Sequence, residues 1–219
     1  MSEEEKKINT LFDMLDKWRL FPAYQLERRA DIFFAIYLKQ ILESDLKITV
    51  DNILPEFPIR VGSLYNKENK KSRINLSFKI DYIAFSNKSR KIYFIELKTD
   101  VDSKREKQNW YLKTATQVGF IKLLEGLLDI YSATEQKRKY TRYISELQKM
   151  AWIKEDNNKY FVSSKDYNIE TIIIQPRKTK KEEFKVITFQ NIVRILSSNK
   201  DFLSGRFIKS LKKWKTNPN

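Results

Sequence analysis

INLSFKIDYIAFSNKSRKIYFIELKT, residues 74–99, is the stretch whose reading decides the fold. β-Branched and aromatic residues dominate 74–85 and 92–99, and SNKSRK between them is turn-forming, so the stretch reads as a hairpin of two strands. Placing Phe85 opposite Ile92 leaves the loop Ser86–Lys91 and fixes every other pair, because paired positions in an antiparallel ladder sum to a constant. Asp81 then stands opposite Glu96. Alternation puts Ile83, Phe85, Ile92 and Phe94 on one face with Asp81, Glu96 and Lys98. Ile80, Tyr82, Ala84, Tyr93, Ile95 and Leu97 take the other face. Both faces are apolar near the turn, and one becomes charged further along. A slip of one residue would part Asp81 from Glu96.

Upstream, Ala30, Phe34, Tyr37 and Ile41 recur at three- and four-residue steps, which predicts a helix over 23–43 with Pro22 in its first turn. Pro55 and Pro58 break the pattern that follows, and Ile59–Tyr65 is expected as a strand before the basic loop Asn66–Arg73. Downstream, a long helix is expected over 103–131, capped by Ser103 with Glu106 and striped by Trp110, Gln117, Ile121, Leu124 and Leu128. Residues 136–165 read as an insertion, a helix over 140–150 and a short hairpin around 155–158. Ile169–Ile174 (IETIII) suits a central buried strand, Phe184–Phe189 an edge strand and Gln190–Leu196 a short helix. Residues 205–219 read as a basic tail. No internal repeat is evident, and the expected fold class is α/β, a mixed central sheet flanked by helices, in one domain over 1–219.

Composition narrows the chemistry. The 219 residues are 41% hydrophobic and 13% aromatic with four glycines, too rich in core material for disorder. Forty-three Lys and Arg against 28 Asp and Glu give a net charge of +15, a surplus that suits a polyanion. The chain has no cysteine and no histidine, which excludes disulfides, thiolate zinc sites and the usual His-based triads. Chemistry is left to carboxylates, Lys, Tyr and a hard cation. MSEEEKKINT lacks the apolar core of a signal peptide and no run approaches a membrane span, so a cytoplasmic location without membrane association is expected.

Two carboxylates opposed on a sheet repel, and burial adds a desolvation cost, so a compensating cation is required. Lys98 supplies one positive charge and a bound Mg²⁺ would supply two. The pattern Asp81, fourteen residues, then Glu96-Leu97-Lys98, after one helix and before another, resembles the PD-(D/E)XK nuclease superfamily. The resemblance spans residues 23–131 plus the strand at 169–174, which would complete an αβββαβ restriction-endonuclease-like core. Ile80 stands where the family name has proline.

What the resemblance implies is a Mg²⁺ ion, with Mn²⁺ as substitute, held by Asp81, Glu96 and the Leu97 carbonyl, with Lys98 as the catalytic lysine. Hydrolysis of phosphodiesters in DNA by metal-activated water would follow, endonucleolytic rather than exonucleolytic. Members of the superfamily often carry an acid on the first core helix. Glu27 stands on the apolar stripe here as a further metal ligand, with Asp31 as the alternative and pairing to Arg28 or Arg29 as the plain explanation. The helix after the E-x-K strand commonly brings a polar residue to such sites, for which Gln108 precedes Gln117.

The basic segments Lys67–Arg73, Arg177–Lys181 and Lys209–Lys215 are candidates for the phosphate backbone, and Trp214 for stacking on a base. Residues 136–165 read either as a small winged-helix-like DNA reader or as packing decoration. A homodimer would suit double-strand cutting by a chain with one site. Two rivals stand beside this reading: a catalytically inactive nucleic-acid-binding protein with a nuclease-like fold, and a structural ion cluster at Asp81, Glu96 and Lys98.

Overall fold

The computed structural model describes residues 1–65, 76–100, 106–165 and 167–216. The basic segment Lys67–Arg73, the first residues of the strand expected from Ile74 and the Ser103 cap lie outside these. Along the chain the elements are α1 (Glu3–Trp18), α2 (Leu26–Leu46), β1 (Asn52–Arg60), β2 (Ser77–Ser86), β3 (Lys91–Leu97), α3 (Glu106–Val118), α4 (Phe120–Ala133) and α5 (Arg138–Lys149). There follow β4 (Ile153–Asp156), β5 (Lys159–Val162), β6 (Asn168–Gln175), β7 (Lys185–Thr188), α6 (Phe189–Leu196) and α7 (Phe202–Trp214). Five strands form one mixed sheet in the order β1-β2-β3-β6-β7, antiparallel across β1–β2 and β2–β3 and parallel across β6–β7. The chain divides into two compact units, one comprising Met1–Val50, Glu96–Lys104 and Ile172–Asn219, the other Asp51–Ile95 and Arg105–Thr171.

In the first unit the core is aromatic. Phe207 of α7 packs its ring against Phe12 of α1, Phe33, Phe34 and Tyr37 of α2, and Trp214 further along α7. Phe12, Phe34, Phe207 and Trp214 are each no more than 1% exposed, and burial of a side chain of that size contributes about 1.5–3 kcal/mol. The helix predicted over 23–43 is present as α2 and buries its predicted residues Ala30, Phe34, Tyr37 and Ile41. It begins three residues later than predicted, because Ala23 adopts a left-handed φ of 61° and Pro22 falls in the preceding turn.

The tail expected over 205–219 is instead mostly α7, a packed amphipathic helix. Its N-cap Asp201 accepts from the Ser204 amide at 2.7 Å, and Trp214 is 1% exposed and donates its Nε1–H to Asp16 Oδ1 at 2.8 Å. Trp214 is therefore a core residue and has no face for a base. Asp16 also accepts from Lys213 at 2.7 Å and from Arg206 at 3.2 Å, which ties α1 to α7. Burial by itself pushes the Asp16 carboxyl up, but the bonds from Lys213, Ser210 and Arg206 outweigh it and hold the group below the ordinary value of 3.8.

The second unit carries the hairpin. Its observed pairs run from Ser86↔Lys91 through Phe85↔Ile92 to Tyr82↔Ile95, which is the predicted register, and the turn closes over 87–90. The strand expected over 59–65 lies earlier, as β1, and residues 61–63 form a single 3-10 turn. Pro55 and Pro58 sit inside β1, opposite Tyr82 and Lys79. Proline is tolerated on edge strands, and β1 is an edge of the sheet. The Tyr143 hydroxyl of α5 donates to the Pro55 and Glu56 carbonyls, both at 2.8 Å. Burial first, and then the Glu56 charge, pushes that phenol up to about 12.

The single long helix expected over 103–131 is two helices, α3 and α4. Gly119 breaks it at φ 85° and ψ 153°, a conformation open to glycine and strained for other residues. The stripe of α3 consists of Leu112 and Ala115, and Trp110 is 41% exposed instead of buried, its ring tilted against Tyr65 with centroids 5.0 Å apart. In α4, Gly126 is where the helix meets the 3-10 turn: a Cβ there would come within 2.2 Å of Ser63 Oγ and 3.2 Å of Arg60 Cβ. Phe57, Phe85, Phe120 and Trp152 close the core. The expected helix and hairpin within 136–165 are α5 and β4–β5. Asn157 and Asn158, both at positive φ, form the two-residue turn that matches strand twist.

Candidate active site

Three of the predicted residues come together in the first unit, at the point where β3 ends. Lys98 directly follows the strand, and its amide donates to the Ile174 carbonyl of β6 at 2.7 Å, which pins the backbone of this segment. Its Nζ lies 3.4 Å from Glu96 Oε2 and 3.6 Å from Glu27 Oε1. The Glu96 side chain is 1% exposed, that of Lys98 13% and that of Glu27 34%, so the cluster grades from a buried carboxylate to a partly solvated one. A carboxylate buried so deeply is destabilising by several kcal/mol without a compensating positive charge, and Lys98 supplies one.

Local structure accounts for Glu27. It lies in the first turn of α2, between the buried residues Leu26 and Ala30, where exposed helix amides favour a negative side chain. It forms a salt bridge with Lys98, which lies 71 positions further along the chain. Asp31, one turn on, is half-buried and accepts from the Ile32 amide at 2.7 Å.

Asp81 and Gln108 belong to the second unit. Asp81 lies in β2, half-buried, immediately before Tyr82, whose partner Ile95 immediately precedes Glu96. Gln108 is half-buried in α3. Gln117 is exposed, so its expected place among buried apolar positions is not where the helix puts it: residues at 112 and 115 face inward and 117 turns away.

One residue close to this place carries no strong signal in the sequence. Gln175 ends the apolar run IETIII, is 1% exposed, and follows the residue that receives the Lys98 amide. Its Nε2 donates to the Arg177 carbonyl at 2.9 Å and to Glu182 Oε1 at 3.0 Å, and Glu182 also accepts from the Thr179 hydroxyl at 2.7 Å. These bonds fix the loop that carries Arg177, Lys178, Lys180 and Lys181. A polar residue closing a buried strand was the available signal. The other half of the arrangement, Glu182, is distant enough in the loop that no spacing rule joins it to Gln175.

Among the described residues no group of three or more His, Cys, Asp or Glu side chains is placed to hold a metal ion. The donor chemistry at the end of β3 nevertheless fits a hard divalent cation. Glu96 and Glu27 bring two carboxylates to the Lys98 ammonium, and their donors are oxygens, which hard divalent cations favour. No helix among the described residues is long and apolar enough to cross a membrane. Comparison with protein-family models, with curated proteins and with solved structures gives no match.

Proposed function

We propose that the chain is a metal-dependent phosphodiesterase that cleaves DNA, with Asp81, Glu96 and Lys98 at its centre and Glu27 beside them. The observation that carries the reading is the approach of Lys98 Nζ to both the buried Glu96 and Glu27. Two further features support it. The hairpin keeps the expected register from Ser86↔Lys91 to Tyr82↔Ile95, and that register, if continued one step further, would set Asp81 opposite Glu96. The order α2, β1, β2, β3, the α3–α4 helices, then β6 also follows the αβββαβ succession of the restriction-endonuclease-like core.

In this reading Asp81, Glu96, the Leu97 carbonyl and Glu27 would hold Mg²⁺ or Mn²⁺. When bound, such an ion polarises a phosphodiester oxygen and lowers the pKa of a coordinated water. Lys98 orients the attacking water and neutralises charge that develops on the phosphate. Glu27, at 3.6 Å from the ammonium, helps Glu96 to hold it in the cluster. Gln108 contributes a neutral donor to the phosphate or to the water. The basic loop Arg177–Lys181 takes the DNA backbone, giving affinity that is independent of sequence and sensitive to salt.

The test is cleavage of supercoiled plasmid, linear duplex and single-stranded DNA with Mg²⁺ or Mn²⁺ and with chelator. The expected result is metal-dependent cleavage by the intact chain, reduced about 10²–10³-fold by Lys98→Ala and by Asp81→Ala. Cleavage unchanged in both variants would sink the reading. Salt-sensitive binding without cleavage by the intact chain would favour an inactive nucleic-acid-binding protein instead.

A further inference from the structure

One face of the first unit carries apolar surface that the unit does not cover. Leu11, Met14 and Trp18 on α1, Leu20 and Phe21 in the turn that follows, and Ile32 and Ile36 on α2 are between 37 and 59% exposed. A groove of about 530 Å³ runs between the two helices over Leu15 and Phe33, with Lys7 and Arg29 at its sides. α1 thus has two apolar stripes. Phe12 and Leu15 face inward and are buried, whereas Leu11, Met14 and Trp18 face outward. Extended back through Lys7 and Glu4, the outward stripe follows positions 4, 7, 11, 14 and 18, alternating three- and four-residue steps, which is the seam of a left-handed helix pair.

Magnitudes argue for a large partner. Taking about 150–250 Å² for each large side chain, the seven at these exposures present roughly 500–850 Å² of apolar surface. That lies at or above the upper end of the largest patch on a typical monomer, about 300–600 Å². It approaches the ~800 Å² that each partner contributes to a stable interface. Charge then selects the orientation. The first turn of α1 is acidic, with Glu3, Glu4 and Glu5, and its last turn carries Lys17. An antiparallel pair centred on Leu11 sets residue i against residue 22 − i, which brings Glu5 to the partner's Lys17, while a parallel pair would set like against like.

We propose that a second copy of this chain covers this face, α1 packing antiparallel on α1 about a two-fold axis near Leu11. The α2 residues Ile32 and Ile36 and the Leu20–Phe21 turn close the flanks, and the contact is isologous and self-limiting. Lys7 lays its aliphatic stem along the seam and keeps its ammonium in water.

The test uses the full chain and needs no activity, so its outcome is independent of the nuclease reading. Light scattering after size exclusion, from about 1 to about 100 μM, is expected to give twice the 26.3 kDa chain mass. Leu11→Glu sets two like charges at the axis and is expected to raise the dimer dissociation constant at least about 100-fold, with the far-UV circular dichroism of the folded chain unchanged. Since the chain has no cysteine, Leu11→Cys is expected to cross-link to a disulfide dimer under mild oxidation, while a cysteine at the exposed Glu125 of α4 is not. A monomer throughout, a dimer indifferent to Leu11→Glu, or no cross-link at position 11 would overturn the proposal. So would a monomer whose tryptophan emission shifts with vesicles of anionic phospholipid, which would give the face to a bilayer.

Discussion

Lys98 stands between a carboxylate that is 1% exposed and one that is 34% exposed, and its own side chain is 13% exposed. If, as proposed, a divalent cation binds these carboxylates, it lowers the energy of the folded state. Mg²⁺ that binds only the folded chain would stabilise it by about 2.7 kcal/mol at a hundred times its dissociation constant. The intact protein is therefore expected to melt at higher temperature in Mg²⁺ than in chelator, and Glu96→Gln is expected to lose that difference. A melting temperature indifferent to Mg²⁺ in both proteins would instead favour a structural ion cluster. The catalytic candidates on β2 and β3 are legible because strand alternation and hairpin register are arithmetic over a few residues. The partner of Glu27 is not, since 71 positions separate it from Lys98 and no local period links them.

At the scale of elements, the parts legible in the sequence are those with a local signal. The hairpin of 153–162 follows from two asparagines at its turn, and the IETIII run marks a strand with a neighbour on each side in the sheet. Each departure from expectation traces to a contest of local against tertiary effects. Prolines at 55 and 58 argue against a central strand but not against an edge. A single glycine does not interrupt a periodic pattern on paper, yet Gly119 at φ 85° ends one helix and begins another. α1 is hard to read although Ser2 and Glu5 form a capping box, because its acidic first turn hides the apolar stripe that follows.

The junction of α1 with α7 gives a prediction in pH. Asp16 is 8% exposed and Arg206 6%, and truncation of one partner of so buried a pair is destabilising by about 3–5 kcal/mol. Asp13 remains as a second partner for Arg206, so Asp16→Ala is expected at the low end, about 3 kcal/mol at pH 7 by urea unfolding. The folded carboxyl titrates below its unfolded value of 3.8, so its stabilisation is complete above that value and is lost as pH falls toward the folded pKa. The gap between wild type and Asp16→Ala should therefore hold down to about pH 5 and narrow as pH falls through the unfolded value of 3.8 and below it. A gap of constant size would refute the assignment of this cluster as the tie.

For the whole molecule, the net charge of +15 points to a polyanion without locating it. The structure puts that charge to different uses. Lys213 and Arg206 serve the packing of α7 on α1, whereas Arg177, Lys178, Lys180 and Lys181 stand on a loop held by Gln175 and Glu182. If that loop holds DNA, the logarithm of affinity should fall linearly with the logarithm of salt. Lys180→Ala with Lys181→Ala should flatten the slope by about 0.9 for each phosphate that the loop no longer neutralises. Lys212→Ala on α7 should leave the slope as it is.

The central claim of the proposed function is that Asp81 and Glu96 hold a hard cation. Its most direct test is a crystal soaked in Mn²⁺ and read by anomalous scattering. The expected result is a peak about 2.0–2.2 Å from carboxylate oxygens of both Asp81 and Glu96, absent in Glu96→Gln. A fully occupied Mn²⁺ elsewhere on the chain, with no peak between these two carboxylates, would contradict it.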